Sequence, residues 1–370
     1  MMFLHKKTKK EFLLVEPVAK TPYPPLGLMK ISSMLKAQYP ESVVVSQVGE
    51  STPAVVSNPD KIYITTLFTW DLKKVVAVTN QLKSRYPDSE IVIGGIAASL
   101  MPDYINEKTG ITAHHGLLNE AELYSPDYSV DFGRKLQTSI TFTTRGCIRK
   151  CNFCTVKTLE PLFVPKNNWE RDINESLPVI TFWDNNWLAS PNMATDVDKL
   201  LRFKKRLDFN QGLDARLYDE NVGELLASLN IDPIRFAFDD IEQEADILRA
   251  INIAKQHSKK EICVYVLYNF KDSPEEFFYK INLLNQNKVL AFPMGYRPPV
   301  NDIKTVPNKH WNTFLLRGLK LSLLFYYRRG TITKSRESFV KIYGSTEKEF
   351  VENLYRIYEY DKSIKRPSKG

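Results

Sequence analysis

The chain is expected to be an α/β protein: an N-terminal doubly wound parallel sheet, then an incomplete parallel barrel, then a helical extension. Three observations carry that expectation. Runs rich in β-branched residues alternate with helical patterns through residues 1–134. Six further strand-like runs recur, mostly about every 25–30 residues, through residues 135–300, as repeated strand–helix units do. Residues 301–370 read as helices and turn basic. At 370 residues the chain has room for two domains plus an extension.

In the first part FLLVEP (12–17) reads as a strand, and a loop with Pro22, Pro24 and Pro25 follows it. LGLMKISSMLKAQ then places Leu28, Ile31, Met34 and Leu35 on one helical face. VVVSQV (43–48), IYITTLF (62–68) and IVIGGI (91–96) read as buried parallel strands, with a helix from about Asp71 to Arg85 between the last two. ITAHHG (111–116) reads as a fifth, weaker strand, in which His114 and His115 are strand-end structural residues. Ligands of open α/β sheets bind beyond the carboxyl ends of the strands, which here places Thr66, Phe68, Gly94, Gly95 and Gly116 at a candidate binding edge.

In the second part the strands are SITFTT (139–144), VITFWDNN (179–186), FNQGLDAR (209–216), IRFAFDD (234–240), ICVYVLYNF (262–270) and VLAFPMGYR (289–297). Parallel barrels carry their chemistry at the carboxyl ends of the strands. The candidates there are Asp184, Asn185 and Asn186; Gln211, Asp214 and Arg216; Asp239 and Asp240; Tyr268 and Asn269; and Tyr296 and Arg297. Asp184 either accepts from a ligand's ammonium or caps a turn, and Arg216 either binds a carboxylate or pairs with Asp214 or Asp240. Arg216, Asp240 and Tyr268 are taken as the catalytic candidates. Ser273, Pro274 and Glu276 start a helix, DSPEEFFYKI, that carries no chemistry. In the extension, HWNTFLLRGLKLSLLFYYRRG reads as a helix ending near Gly330, and Thr346 with Glu349 forms a capping box for EKEFVENLYRIYEY. Phe350, Leu354 and Ile357 lie on one face of that second helix.

Composition narrows the function. No run approaches the roughly 18–20 apolar residues of a membrane span, and MMFLHKKTKKEF lacks the apolar core of a signal peptide. Four cysteines, three of them clustered, do not make a disulfide framework, so a reducing cytoplasm is the expected compartment. The net charge of +8 comes from residues 301–370, which carry 15 Lys or Arg against 7 Asp or Glu. That basic end, with Phe325, Tyr326 and Tyr327 beside Arg328 and Arg329, permits contact with nucleic acid, but a solvated helical face and ordinary packing are favoured.

The sharpest signal is TTRGCIRKCNFC, which sets Cys147, Cys151 and Cys154 at Cys-x3-Cys-x2-Cys spacing after the turn glycine Gly146. Thiolates suit iron–sulfur clusters and zinc. A cubane cluster normally takes four cysteines, so three leave one iron open to a small molecule. Zinc would need a fourth ligand from a remote histidine or from Cys263, which otherwise reads as a small buried hydrophobe at the strand end away from the chemistry.

The motif, with aromatic Phe153 before its last cysteine, resembles the signature of the radical S-adenosylmethionine (SAM) superfamily. The resemblance implies a (β/α)6 core and a [4Fe–4S] cluster held by Cys147, Cys151 and Cys154. It also implies SAM bound near Asp184, Asn185 and Asn186, with its methionine carboxylate near Arg216. A reductant protein such as a flavodoxin or ferredoxin would supply the electron. The first part is similar to the cobalamin-binding domain found upstream of many such enzymes, through PYPPLGLMKISSML, the TTLF strand end, IVIGGIAAS and HHGLLNEAE. In that family the Gly-Gly pair, here Gly94 and Gly95, lets the loop approach the cofactor. The Asp-x-His-x-x-Gly motif is absent. Related enzymes either bind cobalamin without it or keep the domain shape alone, and both alternatives stand. Bound cobalamin would favour methyl transfer to an unactivated carbon. A methylthiolation-type RNA modifier has a similar domain order but places three cysteines in its first domain, where residues 1–146 have none. A zinc- or cluster-stabilised nucleic-acid-binding module is the non-enzyme alternative.

Overall fold

The computed structural model describes residues 9–50, 56–299, 306–326 and 330–365. Tyr327, Arg328, Arg329, the basic residues before position 9 and the tail from 366 lie outside the described residues.

Strands β1 (Glu11–Glu16), β2 (Val43–Val48), β3 (Lys61–Thr66) and β4 (Glu90–Gly95) form a parallel sheet in the order β2-β1-β3-β4. Side chains alternate across a strand, and β1 shows why both faces are covered. Leu13 and Val15 pack with Ile62, Ile64 and α2 (Leu72–Arg85), while Phe12 and Leu14 pack with Tyr63 and α1 (Leu26–Gln38). Leu28, Ile31, Met34 and Leu35 are all buried, as their spacing predicts. Helices α3 (Ile96–Leu100) and α4 (Pro102–Thr109) follow β4 directly, and α5 (Asn119–Glu122) lies against α1. The expected fifth strand does not form. Residues 111–116 contribute the His114 amide to the Ile93 carbonyl at 2.7 Å, between the left-handed Gly110 and Gly116.

The second part holds β5 (Thr138–Thr141), a hairpin of β6 (Thr144–Arg145) and β7 (Val164–Pro165) enclosing α6 (Val156–Leu159), and then β8 (Val179–Phe182), α7 (Met193–Phe203), β9 (Arg206–Phe209) and α8 (Glu220–Ala227). After these come β10 (Ile234–Phe238), α9 (Glu244–His257), β11 (Ile262–Tyr268), α10 (Pro274–Gln286) and β12 (Leu290–Gly295). Six barrel strands pair in parallel, five of them where expected, but as two sheets, β5-β8-β9 and β10-β11-β12; the third lies at Arg206–Phe209 and shares only Phe209 with the expected 209–216. The parallel bridges Leu207↔Ile231 and Leu213↔Phe236 carry the seam between them. The third strand ends earlier than FNQGLDAR suggests, because Gly212, at φ +86°, turns the chain and its amide returns to the Phe209 carbonyl. The capping box of α10 joins Ser273 and Glu276.

Helices α11 (Thr313–Tyr326), α12 (Arg336–Tyr343) and α13 (Glu347–Lys365) complete the chain; α12 was not anticipated. Phe339, Phe350 and Leu354 belong to the same core as Phe277 and Phe278 of α10, so the extension packs on the barrel. The Thr346–Glu349 capping bonds are present at 3.2 and 3.3 Å. Among the described residues no helix is long and apolar enough to cross a membrane.

A buried ionic group joins the two α/β parts. Lys30 of α1, 1% exposed, lies 2.7 Å from Glu122 and 3.9 Å from Asp172, and Lys166 also pairs with Asp172. Tyr128 donates to the Asp172 carbonyl at 2.8 Å and accepts the β5 amide of Ile140 at 3.0 Å. Asp172→Ala would leave the buried Lys30 ammonium and the partly buried Lys166 ammonium short of countercharge. Urea unfolding is expected to show a loss of roughly 3–5 kcal/mol; a loss under about 1 kcal/mol would show that Glu122 alone suffices.

Candidate functional site

The cysteine loop begins where β5 ends, and neighbouring β8 supplies the group that shapes its base. Asp184, buried just past β8, accepts the Thr143 amide (3.0 Å), both Thr144 groups (2.6 and 2.8 Å) and the Thr143 hydroxyl (2.7 Å). Burial pushes its carboxyl up, against the pull of these four donors. Gly146 follows at φ +77°, where a Cβ would stand 2.1 Å from the Leu162 carbonyl oxygen, so only glycine fits. Glu160 closes this turn, accepting from the Gly146 amide at 2.8 Å and Asn185 Nδ2 at 3.0 Å, and pairing with Arg145 at 3.0 Å.

Beyond the turn, Cys147, Cys151 and Cys154 are partly exposed, free, and on the wall of one cavity of ≈ 1680 Å³. Burial pushes the Cys151 and Cys154 thiols up; Cys147 adds to the rise at both and Cys151 to that at Cys154, while Arg216 opposes the shift at Cys151. Among the described residues no three His, Cys, Asp or Glu side chains are close enough to hold a metal ion. Around one zinc, tetrahedral thiolates would stand about 3.8 Å apart, from Zn–S bonds of about 2.3 Å. Thiolates on different irons of one cluster stand farther apart. The three thiols share one wall of the cavity, a donor set that suits an iron–sulfur cluster or zinc.

Asp214 is the centre of the polar wall facing them. It accepts from Arg216 Nε (2.6 Å) and Nη2 (3.1 Å), from Arg149 Nε (3.0 Å) and from Asn186 Nδ2 (3.0 Å). Burial pushes its carboxyl up, but Arg216 and Arg149 outweigh burial and hold it below the ordinary carboxylate range. Asn186 is 3% exposed, and its Oδ1 has no hydrogen-bond partner. Since Nδ2 must face the carboxylate, the amide orientation is determined. Asp239 also lines the cavity; burial pushes its carboxyl up to about 6, with Lys280 and Arg216 opposing.

The structure therefore brings together the three cysteines, Asn185, Asn186 and Arg216, with Gln211, Arg149, Asp214 and Asp239 beside them. It does not bring Asp184, Asp240 or Tyr268 to the cavity wall. Asp184 is saturated by Thr143 and Thr144, the turn-capping alternative. Asp240 points away to Lys271, 2.5 Å distant, and accepts the Glu242 amide. Tyr268 packs on Phe277 and Trp311 at ring distances of 5.2 and 5.5 Å. Conversely, Cys263 lines the cavity, which extends down the barrel lumen to the strand end away from the expected chemistry; burial pushes its thiol up to about 11.

At the edge of the first sheet only Phe68 of the expected binding residues faces this cavity. It stacks on Trp70 at 4.5 Å, and the Arg297 guanidinium covers Trp70 at 4.5 Å. Thr66 donates to the Gly94 carbonyl and accepts the Ala98 amide. A Cβ on Gly95 would stand 2.3 Å from the Thr66 carbonyl oxygen, so that glycine serves the chain's own packing. Gly94 faces His114, and the Gly116 amide donates to Ser99. Thr66, Gly94 and Gly95 are thus engaged with one another, and Gly116 with Ser99.

Asp239 was visible only as half of an Asp-Asp pair. The better signal was the alternation in IRFAFDD, where Arg235, Ala237 and Asp239 fall on the face opposite Phe236 and Phe238.

No protein-family model and no curated protein sequence matches the chain. Among solved structures it is similar to SuiB of Streptococcus suis. One SuiB crystal structure, bound to the precursor peptide SuiA, aligns at 17% identity and TM-score 0.39 over 54% of this chain and 48% of that one. Another, bound to S-adenosylmethionine, aligns at 17% identity and TM-score 0.38 over 52% and 48%. The chain therefore matches about half the length of those SuiB chains. A likeness this weak carries no conclusion about activity.

Because the folded state holds the Asp239 proton more tightly than the unfolded chain, that group costs stability as pH rises from its ordinary value near 3.8 through about 6. Asp239→Asn is expected to match the native chain below about pH 4 and to exceed it by up to about 3 kcal/mol well above pH 6. Urea unfolding at both pH values measures this; a difference independent of pH would exclude the titration.

Proposed function

We propose that the chain is a radical SAM enzyme in which residues 135–300 form the catalytic barrel. The observation that carries the reading is the convergence of Cys147, Cys151 and Cys154 on one deep cavity, opposite the polar group centred on Asp214. Those three cysteines would hold a [4Fe–4S] cluster. When bound and reduced by one electron, the cluster supplies the reductive cleavage of SAM that releases a 5′-deoxyadenosyl radical for hydrogen abstraction.

The chain's own residues bind and orient. Asn186, its amide nitrogen tied to Asp214, lies on the cavity wall, where it would help to receive the methionine moiety. Arg216 and Arg149 offer guanidinium groups to its carboxylate, with Asp214 fixing both and leaving one positive charge in excess for the incoming carboxylate. Asp239 is placed to accept hydroxyl hydrogen bonds one layer deeper. Phe68 and Trp70 from the first sheet, with Arg297 of the barrel, cover the mouth against water. The reductant is a protein of the flavodoxin or ferredoxin kind, and residues 1–134 and 301–370 act as covering and supporting parts. Cobalamin-dependent methyl transfer is no part of this proposal, because Gly94, Gly95 and Thr66 are engaged within the chain.

The test is anaerobic reconstitution with iron and sulfide, then incubation with SAM and dithionite. Absorbance near 400 nm with about four irons per chain and 5′-deoxyadenosine production are expected, and Cys151→Ala should abolish both. Asn186→Ala should raise the KM for SAM about tenfold with kcat little changed, the signature of lost uniform binding. Stoichiometric zinc in the purified protein, with no deoxyadenosine, would overturn the reading.

A further inference from the structure

The rim of the cavity, where the two α/β parts meet, has a chemistry of its own that covering the mouth does not require. Arg297, exposed just past β12, lies over the Trp70 ring at 4.5 Å, and Trp70 stacks on Phe68. A guanidinium held by its face leaves the N–H donors of its edge free. Among the described residues no carboxylate pairs with Arg297. The other cations of this upper wall are matched or already assigned: Lys20 pairs with Asp71, and Arg149 and Arg216 hold Asp214. Asp239, on the same wall, has the buried Lys280 beside it, with the ammonium 3.4 Å from the Asp239 carbonyl. Three large apolar side chains also open onto the cavity, each 45% exposed: Leu67 and Ile96 at the carboxyl edge of the first sheet, and Met294 on β12. Apolar side chains left bare together on a cavity wall, unlike ones scattered over a surface, mark a place for an apolar group.

We propose that this rim binds the substrate through an anionic head group, a carboxylate or a phosphate, carried on an apolar body. The head takes the free N–H edge of Arg297, whose planar fork matches two oxygens of such an anion. The body lies against Leu67, Ile96 and Met294. A cationic head would stand against Arg297, and a neutral one would gain no charge-assisted bond there. Tyr296, next to Arg297 and also on the cavity wall, packs on Phe270 at 4.8 Å, and Phe270 packs on Phe153 at 5.7 Å. Phe153 lies between Cys151 and Cys154, so a short run of rings joins the rim to the cysteine loop. A substrate anchored at Arg297 therefore extends inward along the wall that carries the cysteines, and its reacting carbon belongs at the end away from the anion. This deepens the proposed function by naming a substrate class, and it rests on that reading for the word substrate.

Of the five tryptophans only Trp70 lines the cavity, so its fluorescence reports occupancy of the rim. The experiment titrates the full chain with phenylacetate, benzyl phosphate, phenylacetamide and phenethylamine, and reads tryptophan fluorescence alongside calorimetry. The four probes share an apolar ring and differ in the head group. At least one anion is expected to bind about tenfold more tightly than the amide, the gain of a charge-assisted bond over a neutral one. The amine should bind more weakly than the amide, and the tighter of the two anions identifies the head group as carboxylate or phosphate. These comparisons need no variant. Arg297→Gln should bring the anions to the amide's affinity while Arg149 and Arg216 stay in place, which separates the rim from the wall assigned to SAM. Trp70→Phe should remove the fluorescence change. Equal affinity for anion and amide, anion binding that survives Arg297→Gln, a fluorescence change that survives Trp70→Phe, or no binding of either anion would each overturn the inference. None of these readouts needs the cluster or SAM, so failure here is distinguishable from failure to make deoxyadenosine.

Discussion

The cysteine loop depends on the carboxylate of Asp184. A chain leaving a parallel strand loses its ladder partners, and its amides must find acceptors elsewhere. At the end of β5 those amides belong to Thr143 and Thr144, and the acceptor comes from the next strand, β8. The two threonine hydroxyls complete the carboxylate's shell, so a charge 4% exposed is offset by four donors. That arrangement ties the first residue of the turn to the barrel wall, and Gly146 can then approach Leu162 closely enough to swing the thiols over the lumen. Asn185 and Asn186, next after Asp184, are aimed by the same anchor at Glu160 and Asp214. One side chain thus sets the relation between the thiol loop and the polar wall opposite it.

The lumen follows from strand alternation. Along β10 the apolar residues Ile234, Phe236 and Phe238 face the helices and form the core, which leaves Arg235, Ala237 and Asp239 facing inward. A filled parallel barrel would stack bulky aliphatic side chains there. This one sets a small alanine between two charged layers, and the space it leaves is part of the cavity. The inward residues of β9 and β11 repeat the pattern with Asp208, Cys263 and Tyr265. Below, Asp208 pairs with Arg235 one to one; above, the single carboxylate of Asp214 holds both Arg216 and Arg149, which leaves one positive charge in excess.

Much of this was legible in the sequence. The strands of both parts, the helix faces and two capping boxes follow from periodicity and from Ser or Thr spaced three residues before Glu, which are local signals. The cysteine spacing marked the loop. What sequence could not supply was direction at the strand ends. Asp184, Asp214, Asp239 and Asp240 are chemically alike, yet one is saturated by threonines, one gathers two arginines, one is sunk in the lumen and one meets Lys271 at the surface. Those differences arise from partners 40 residues away for the first, from Arg149, 65 residues away, beside the local Arg216 for the second, and from register for the others. The fifth strand was lost for a similar reason, since residues 111–116 have suitable composition but make only one bond to β4.

The contact between the two α/β parts bears on the site in the same way. Lys30 in α1 is an ammonium in the wrong place for a helix face packed on a sheet, unless something beyond that sheet needs it. Its partners Glu122 and Asp172 lie in the connection and in the barrel, and Lys166 shares Asp172. Burying ions is costly, and an apolar contact would have joined the two parts at least as firmly. Charges, however, have one arrangement that satisfies them, where an apolar face tolerates sliding. The group therefore specifies orientation, and orientation is what the cavity mouth requires: Phe68 and Trp70 come from the first sheet, Arg297 from the barrel, and they cover the cysteine wall only when the two parts meet at one angle.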